Sequence, residues 1–289
     1  MFFGFNDQDL GFKLNTINDL PDIKNVKWYH SVKTKNKLWG RFGKKLDFFY
    51  IDFPDIGLTT FEPRTKSLNF FNTKNWPTFQ VQSFFKHHLA PLLLSLSGEI
   101  ILHCGAVEID QKAYLFIGDQ GVGKSTLSLQ LLNLRQKVLG DDAFRVSKSE
   151  FKYSLFSGTG TLRVNKDLPQ HLIENFTISN SYFNKLIINL DTFSQNKAIE
   201  IASLFFIKNY QEFKISKACK IEVFPYLLAN SFRLDTQNQQ LLKLELKALN
   251  DLLSHLPCYF LYWPQDFSKL KQNTERFLDY INSFLLDNN

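Results

Sequence analysis

The hydrophobic pattern changes period twice along the chain. Up to residue 76 the apolar residues come in short β-type runs, Leu46–Phe53 (LDFFYIDF), Leu58–Phe61 and Ser67–Phe71, broken by the turn Glu62-Pro63-Arg64. Between 78 and 97, Phe79, Val81, Phe84, Phe85, Leu89, Leu92, Leu93 and Leu94 form a broad apolar face and predict a helix. Pro91 should kink or divide it, and Ser97-Gly98 should end it. Beyond 98, strand-like and helical runs alternate. Glu99–Leu102, Ala113–Ile117, Phe151–Phe156, Ile187–Leu190, Ala202–Ile207 and Pro257–Tyr262 read as strands. The stretch after Lys124, Pro169–Asn175, the run from Pro225, Leu241–Leu253 and Asp266–Leu286 read as helices. The pattern predicts an α/β domain over 78–289, preceded by a small β-rich N-terminal domain over 1–77.

The alternating part is centred on Gly118-Asp119-Gln120-Gly121-Val122-Gly123-Lys124-Ser125-Thr126, a full G-x-x-x-x-G-K-[ST] loop between a predicted strand and a predicted helix. In that setting glycines let backbone N–H groups face a phosphate, and the helix N-terminus adds partial positive charge. All nine residues are candidates for binding nucleotide, with Lys124 reaching the β- and γ-phosphates of ATP and Ser125 holding Mg²⁺. Asp141-Asp142 begin 17 residues after Lys124, behind Val138-Leu139. One such carboxylate suits Mg²⁺ and the other can take a proton from a hydroxyl. His103 lies 21 residues before Lys124, at the end of a predicted strand, and alone reads as a core histidine. Arg163 and Arg233 are further cations able to steady a transferring phosphate, though each by itself reads as a surface arginine. Ser157–Thr161, with Gly158 and Gly160 among hydroxyls, is a weak anion-loop signal.

Over 98–146 these residues resemble the catalytic domain of HPr kinase/phosphorylase: a His at a strand end, a short hairpin, a glycine loop ending Gly-Val-Gly-Lys-Ser, and Asp-Asp closing the next strand. The resemblance implies a P-loop HPr-kinase-like domain, a mixed sheet with flanking helices that uses ATP and Mg²⁺. It implies Asp141 as the base towards a seryl hydroxyl, Asp142 as the metal partner, and His103 as completing the phosphoryl site. Beyond 146 the chain departs from that family. It lacks the Glu-Ile-Arg-Gly-type segment and the basic C-terminal loop that serve HPr docking and the reverse reaction. Ala229-Asn230-Ser231-Phe232-Arg233 and the late Pro-x-Tyr-x-Leu strand look more like HPr-kinase-related proteins of peptide-modification systems, including kinases of lasso-peptide precursors. The implied activity is γ-phosphoryl transfer to serine of a peptide or protein. A small-molecule kinase acting on free serine or another metabolite, and a non-catalytic ATP-binding regulator, are the alternatives. Homo-oligomers are frequent among HPr-kinase-like proteins.

Charge and cysteine usage narrow the partners. A net charge of +6 over 289 residues is mild and does not call for nucleic acid. Between Lys24 and Lys45 stand eight basic residues and no acid. They read first as a solvated face, and alternatively as a docking surface for an acidic peptide or protein. Cys104, Cys219 and Cys258 show no C-x-x-C pair and no metal spacing, as expected of reduced thiols in a cytoplasmic protein. Strand alternation sends Cys104 and His103 to opposite faces, against a catalytic Cys–His pair. No run approaches the ~20 apolar residues that span a bilayer, and Met1–Phe5 lacks the basic start of a signal peptide.

Overall fold

A computed structural model describes residues 13–17, 19–34, 37–150, 152–156, 160–182, 185–190 and 198–286. Met1–Phe5, Phe151, residues 157–159 of the weak glycine loop and the polar stretch 191–197 lie outside them. Two compact units emerge, Met1–Ser97 with Arg233–Lys243, and Gly98–Phe232 with Leu244–Asn289.

The first unit is a six-stranded sheet of β1 (Lys13–Ile17), β2 (Lys27–Thr34), β3 (Lys37–Lys45), β4 (Phe48–Phe53), β5 (Gly57–Glu62) and β6 (Ser67–Phe71), ordered β1-β6-β5-β4-β3-β2. β2 and β3 fall where the sequence shows only its basic run. Four of the eight positive charges there are paired with acids from elsewhere in the unit. Lys37 pairs with Asp55 at 2.7 Å, Arg41 with Asp52 at 2.8 Å, Lys44 with Asp235 at 2.5 Å and Lys45 with Asp22 at 3.1 Å. An acid-free segment is therefore not an acid-free surface.

Helix α1 (Thr78–Phe84) and helix α2 (Ala90–Leu94) are joined by a π turn, Phe85–Leu89. Pro91 has no N–H to give the carbonyl four residues back, and its ring crowds that carbonyl. Widening the preceding turn, with Ala90 N–H bonded to Phe85 O, relieves both. Phe84 is fully buried with its ring centroid 4.8 Å from that of Phe53. The helical stretch thus packs into the first unit, which runs to Ser97 instead of ending near residue 77.

The second unit holds β7 (Ile100–His103), β8 (Gly105–Ile109), β9 (Lys112–Ile117), α3 (Lys124–Asn133), β10 (Lys137–Gly140), β11 (Ala143–Ser149) and β12 (Lys152–Phe156). A small sheet follows, β13 (Thr161–Asn165), β14 (Ile178–Tyr182) and β15 (Lys185–Asn189), in the order β13-β15-β14. Then come β16 (Ile199–Asn209), β17 (Lys214–Lys217), α4 (Lys220–Ala229), α5 (Gln239–His255, of which the residues up to Lys243 count with the first unit), β18 (Cys258–Trp263) and α6 (Leu270–Leu286). The main sheet is mixed, ordered β10-β8-β9-β16-β12-β11-β7, with β18 on β16 and β17 on β18. Its centre is a parallel trio, β9, β16 and β18. Both faces are covered, which is why β9 reads as a continuous apolar run. Ala113, Leu115 and Ile117 join one buried cluster with Val223 and Leu227 of α4 and Leu249 and Leu252 of α5. Tyr114 and Phe116 join another with Leu127 and Leu131 of α3 and Phe277 of α6. The helix read from Pro225 begins five residues earlier, at Lys220, because Glu222 Oε2 accepts the Cys219 N–H at 3.0 Å and caps it. The Pro169–Asn175 helix shrinks to a 3₁₀ turn, Gln170–Leu172. Among the described residues no helix is long and apolar enough to cross a membrane.

Phe53 is wholly buried, with Trp39 4.6 Å away centroid to centroid. Phe53→Ala should cost the first unit about 3–5 kcal/mol, the usual price of a core aromatic. Denaturant melts followed by tryptophan fluorescence should show that loss; one below about 1 kcal/mol would contradict the packing described.

Candidate functional site

The candidate site lies where β9 passes into α3. The central strands β9, β16 and β18 run parallel, so their C-terminal ends emerge together, the place where open α/β sheets take ligands. The connection is the glycine loop 118–123. Gly121 (φ +86°) and Gly123 (φ +109°) hold left-handed backbone that side chains rarely adopt. Nothing lies within 4 Å of where a Cβ on Gly121 would sit, so the loop's outer curve is open. Trp263, at the end of β18, lies 3.6 Å from the Cβ position of Gly123, and Gln265 Nε2 donates to Gly121 O at 2.8 Å. Neither support was visible from sequence.

Lys124 is buried and folds back over its own loop, donating to Gly118 O at 2.5 Å and Asp119 O at 3.1 Å. Burial holds its pKa below the usual lysine value. Ser125 Oγ donates to Asp141 Oδ2 at 2.8 Å. This one bond ties the glycine loop to the Asp pair, which sits in the connection from β10 to β11. Asp141 also accepts the Arg163 N–H, at 3.1 and 3.2 Å, and its own N–H donates to Thr161 O. β13 is therefore laced along the pair. Burial, then the neighbouring Asp142, raises the Asp141 pKa to about 7.

Asp142 faces a different neighbour. Arg163 grips it at both oxygens, Nε at 2.6 Å from Oδ2 and Nη2 at 2.8 Å from Oδ1. Its backbone sits at φ +85°, a strained value that an aspartate tolerates better than most residues. β11 pairs with β7 so that Ala143 stands opposite His103, and this brings the His103 ring beside Asp142, Nε2 to Oδ1 3.8 Å. Burial, then Lys124, press the His103 pKa down to about 4 despite Asp142, so the imidazole is neutral at pH 7.

Of the residues chosen from sequence, the structure gathers the loop, Lys124, Ser125, Asp141, Asp142, His103 and Arg163. Arg233 belongs to the other compact unit. Cys104 is wholly buried in the cluster under α4 and α5. The carboxylate beside Ser125 is Asp141, while Asp142, the expected metal partner, is paired with Arg163. Sequence reasoning missed Lys185, which interacts electrostatically with both aspartates and Arg163. Its only signal was a lysine at the head of an otherwise apolar strand, KLII.

The donors present fit a nucleotide phosphate with Mg²⁺. The open loop suits the phosphate, and a hydroxyl bonded to a carboxylate suits a hard cation that keeps most of its water. Among the described residues no three His, Cys, Asp or Glu side chains form a metal cluster.

The raised Asp141 pKa has a consequence for stability. In the folded state it binds a proton up to about pH 7, against roughly pH 4 unfolded, so its contribution is present in acid and is lost as pH rises through 7. His103, its pKa lowered to about 4, acts the other way, stabilising above its unfolded pKa and losing that as pH falls through 4. Asp141→Asn removes only the first effect. In EDTA the variant's stability relative to wild type should climb between pH 5 and 8, by about 1–2 kcal/mol. A pH-independent difference would show that Asp141 is not a strained buried carboxylate.

No family model matches the sequence, and no curated protein resembles it significantly. Among solved structures, the Hpr(Ser) kinase/phosphatase from Coxiella burnetii aligns with a TM-score of 0.35 and 11% identity, over 63% of this chain and 97% of that one.

Proposed function

We propose that the protein is an ATP- and Mg²⁺-dependent phosphotransferase that moves the γ-phosphoryl group to a hydroxyl, first of all serine in a peptide or protein. The observation that carries this is the 2.8 Å bond between Ser125 Oγ and Asp141, which joins a glycine loop built for phosphate to a buried acidic pair. In this reading the loop N–H groups at 118–126 cradle the phosphates. Lys124 leaves the carbonyls of Gly118 and Asp119 for the β- and γ-phosphates, which restores its charge partner. Ser125 holds Mg²⁺ with Asp141 at hand; the bound ion supplies neutralisation of phosphate charge. Asp141 takes the acceptor's proton as its oxygen bonds to phosphorus and ADP departs. Asp142 keeps Arg163 and His103 in place, and neutral His103 serves as a hydrogen-bonding group.

The likeness to HPr-kinase-related proteins of peptide-modification systems supports a seryl acceptor, and three free cysteines suit a cytoplasmic setting. A second reading is favoured by the ion pairs of the first unit. With Lys37, Arg41, Lys44 and Lys45 each paired with an aspartate, half of the eight positive charges of the Lys24–Lys45 run are already engaged, which weakens its pull on an acidic peptide. A small hydroxyl metabolite is then the acceptor.

Two variants test the reading. MgATP should raise the melting temperature of wild type, since binding to the folded state alone stabilises it, and Lys124→Ala should lose that shift. Asp141→Asn should still bind ADP but transfer phosphate to a peptide library, or to free serine, about 10²–10⁴-fold more slowly, the ordinary worth of a general base. Mass spectrometry of the products identifies the acceptor. An MgATP shift retained in full by Lys124→Ala would remove the loop from the account.

A further inference from the structure

The charges around the Asp pair do not all have partners. Arg163 spends both of its bonded nitrogens on Asp142, and Lys124 is occupied by its own loop. Lys185 is different. It is half-buried on β15, yet among the described residues its ammonium has no hydrogen bond and no ion pair. A lysine at the head of a strand is free to turn its ammonium into water, and this one instead gives up part of its hydration with no fixed partner among the described residues.

Strand register fixes the direction in which it points. β15 pairs antiparallel with β13, Lys185 opposite Asn165 and Ile187 opposite Arg163. Opposed residues share a face, and so do residues two apart. Lys185 therefore shares the face of Arg163, diagonal to it, while Leu162, Val164, Leu186 and Ile188 turn to the apolar cluster behind. Backbone bonds from Thr161 and Arg163 hold Asp141 along the edge of β13. From this face the Arg163 guanidinium reaches Asp142, Nη2 to Oδ1 2.8 Å, so the face is turned to the acidic pair. The groups acting on the ammonium are Asp141, Arg163, Asp142 and Asp167, with burial the largest influence and lowering its pKa.

Resting on the phosphotransferase reading, we propose that Lys185 is a further catalytic residue, the cation that meets the transferring phosphoryl group on the side of the acidic pair opposite Lys124. Negative charge on the equatorial oxygens of the transferring group needs donors that are fixed before the reaction. Arg163 is tied to Asp142 and cannot also turn to that group without releasing it. The Lys185 ammonium has no bond to a described residue to break first. It approaches from β13 and β15, whereas Lys124 approaches from the glycine loop, so the two ammoniums bracket the phosphate.

The test compares a ground-state mimic with a transition-state mimic. Titration calorimetry of the full chain measures MgADP binding alone and with aluminium fluoride, which takes the place of the transferring phosphoryl group. Wild type should bind MgADP more tightly when fluoride is present. Lys185→Ala should bind MgADP within about twofold of wild type and lose on the order of 10²-fold of the fluoride-dependent gain. Lys185→Arg, which keeps the charge, should recover most of it; a purely structural lysine would show no such charge-dependent rescue. A fluoride gain in Lys185→Ala equal to that of wild type overturns the role of Lys185 and leaves the phosphotransferase standing. So does an equal loss of affinity for both mimics. Absence of MgADP binding to wild type overturns both. Thermal melts of the two variants confirm that each is compared as a folded protein.

Discussion

Two adjacent aspartates buried at one end of a sheet are the constraint that organises the second unit. Neither carboxylate can stay ionised in a poorly solvated place without fixed donors, and the chain supplies a separate set for each. Asp141 takes the Ser125 hydroxyl and the Arg163 amide. Asp142 takes the Arg163 guanidinium and has His103 beside it. Arg163 serves both through different atoms, which requires β13 to run against the connection between β10 and β11. The small sheet β13-β15-β14 thus carries the donor that the two aspartates share. The positive φ of Asp142 and the high pKa of Asp141 are what remains uncompensated. Such residual strain is characteristic of places where a ligand completes the charge balance.

The glycine loop shows the same incompleteness. Lys124 satisfies its ammonium with Gly118 and Asp119 carbonyls, an arrangement that closes the loop on itself. A phosphate offers a stronger, charged partner, and exchanging carbonyls for phosphate oxygens gives the loop a reason to bind rather than merely room to do so. Trp263 and Gln265 brace the loop from the end of β18, so the rearrangement falls on one side chain and not on the backbone.

Much of this was legible in the chain. The glycine loop reads as standing between strand and helix because a short apolar run precedes it and a stretch without Gly or Pro follows, and β9 reads as a continuous apolar run because both its faces are covered. His103 and the Asp pair were linked by spacing and by resemblance, and the β7–β11 pairing is what makes that link physical. Other features had no local signal. The ion pairs of Lys37, Arg41, Lys44 and Lys45 join residues up to 191 apart, so counting charge within a segment overstates its field. The split between Asp141 and Asp142 depends on which of them meets Ser125, and adjacent residues look equivalent until the turn is seen. Lys185 emerges only once β15 is set in register with β13. The helical run 78–94 looks the same whichever unit it packs into; the aromatic core around Phe53 and Phe84 decides that.

A crystal structure with Mg²⁺ and a non-hydrolysable ATP analogue would show whether the glycine loop and the Asp pair form one phosphate site. The analogue's phosphates should lie within the 118–126 loop, Mg²⁺ against Ser125 Oγ, and the Lys124 ammonium should have moved off the Gly118 and Asp119 carbonyls onto phosphate oxygens. An analogue bound elsewhere, with Lys124 still on those carbonyls and Ser125 still bonded to Asp141, would contradict a single phosphate site.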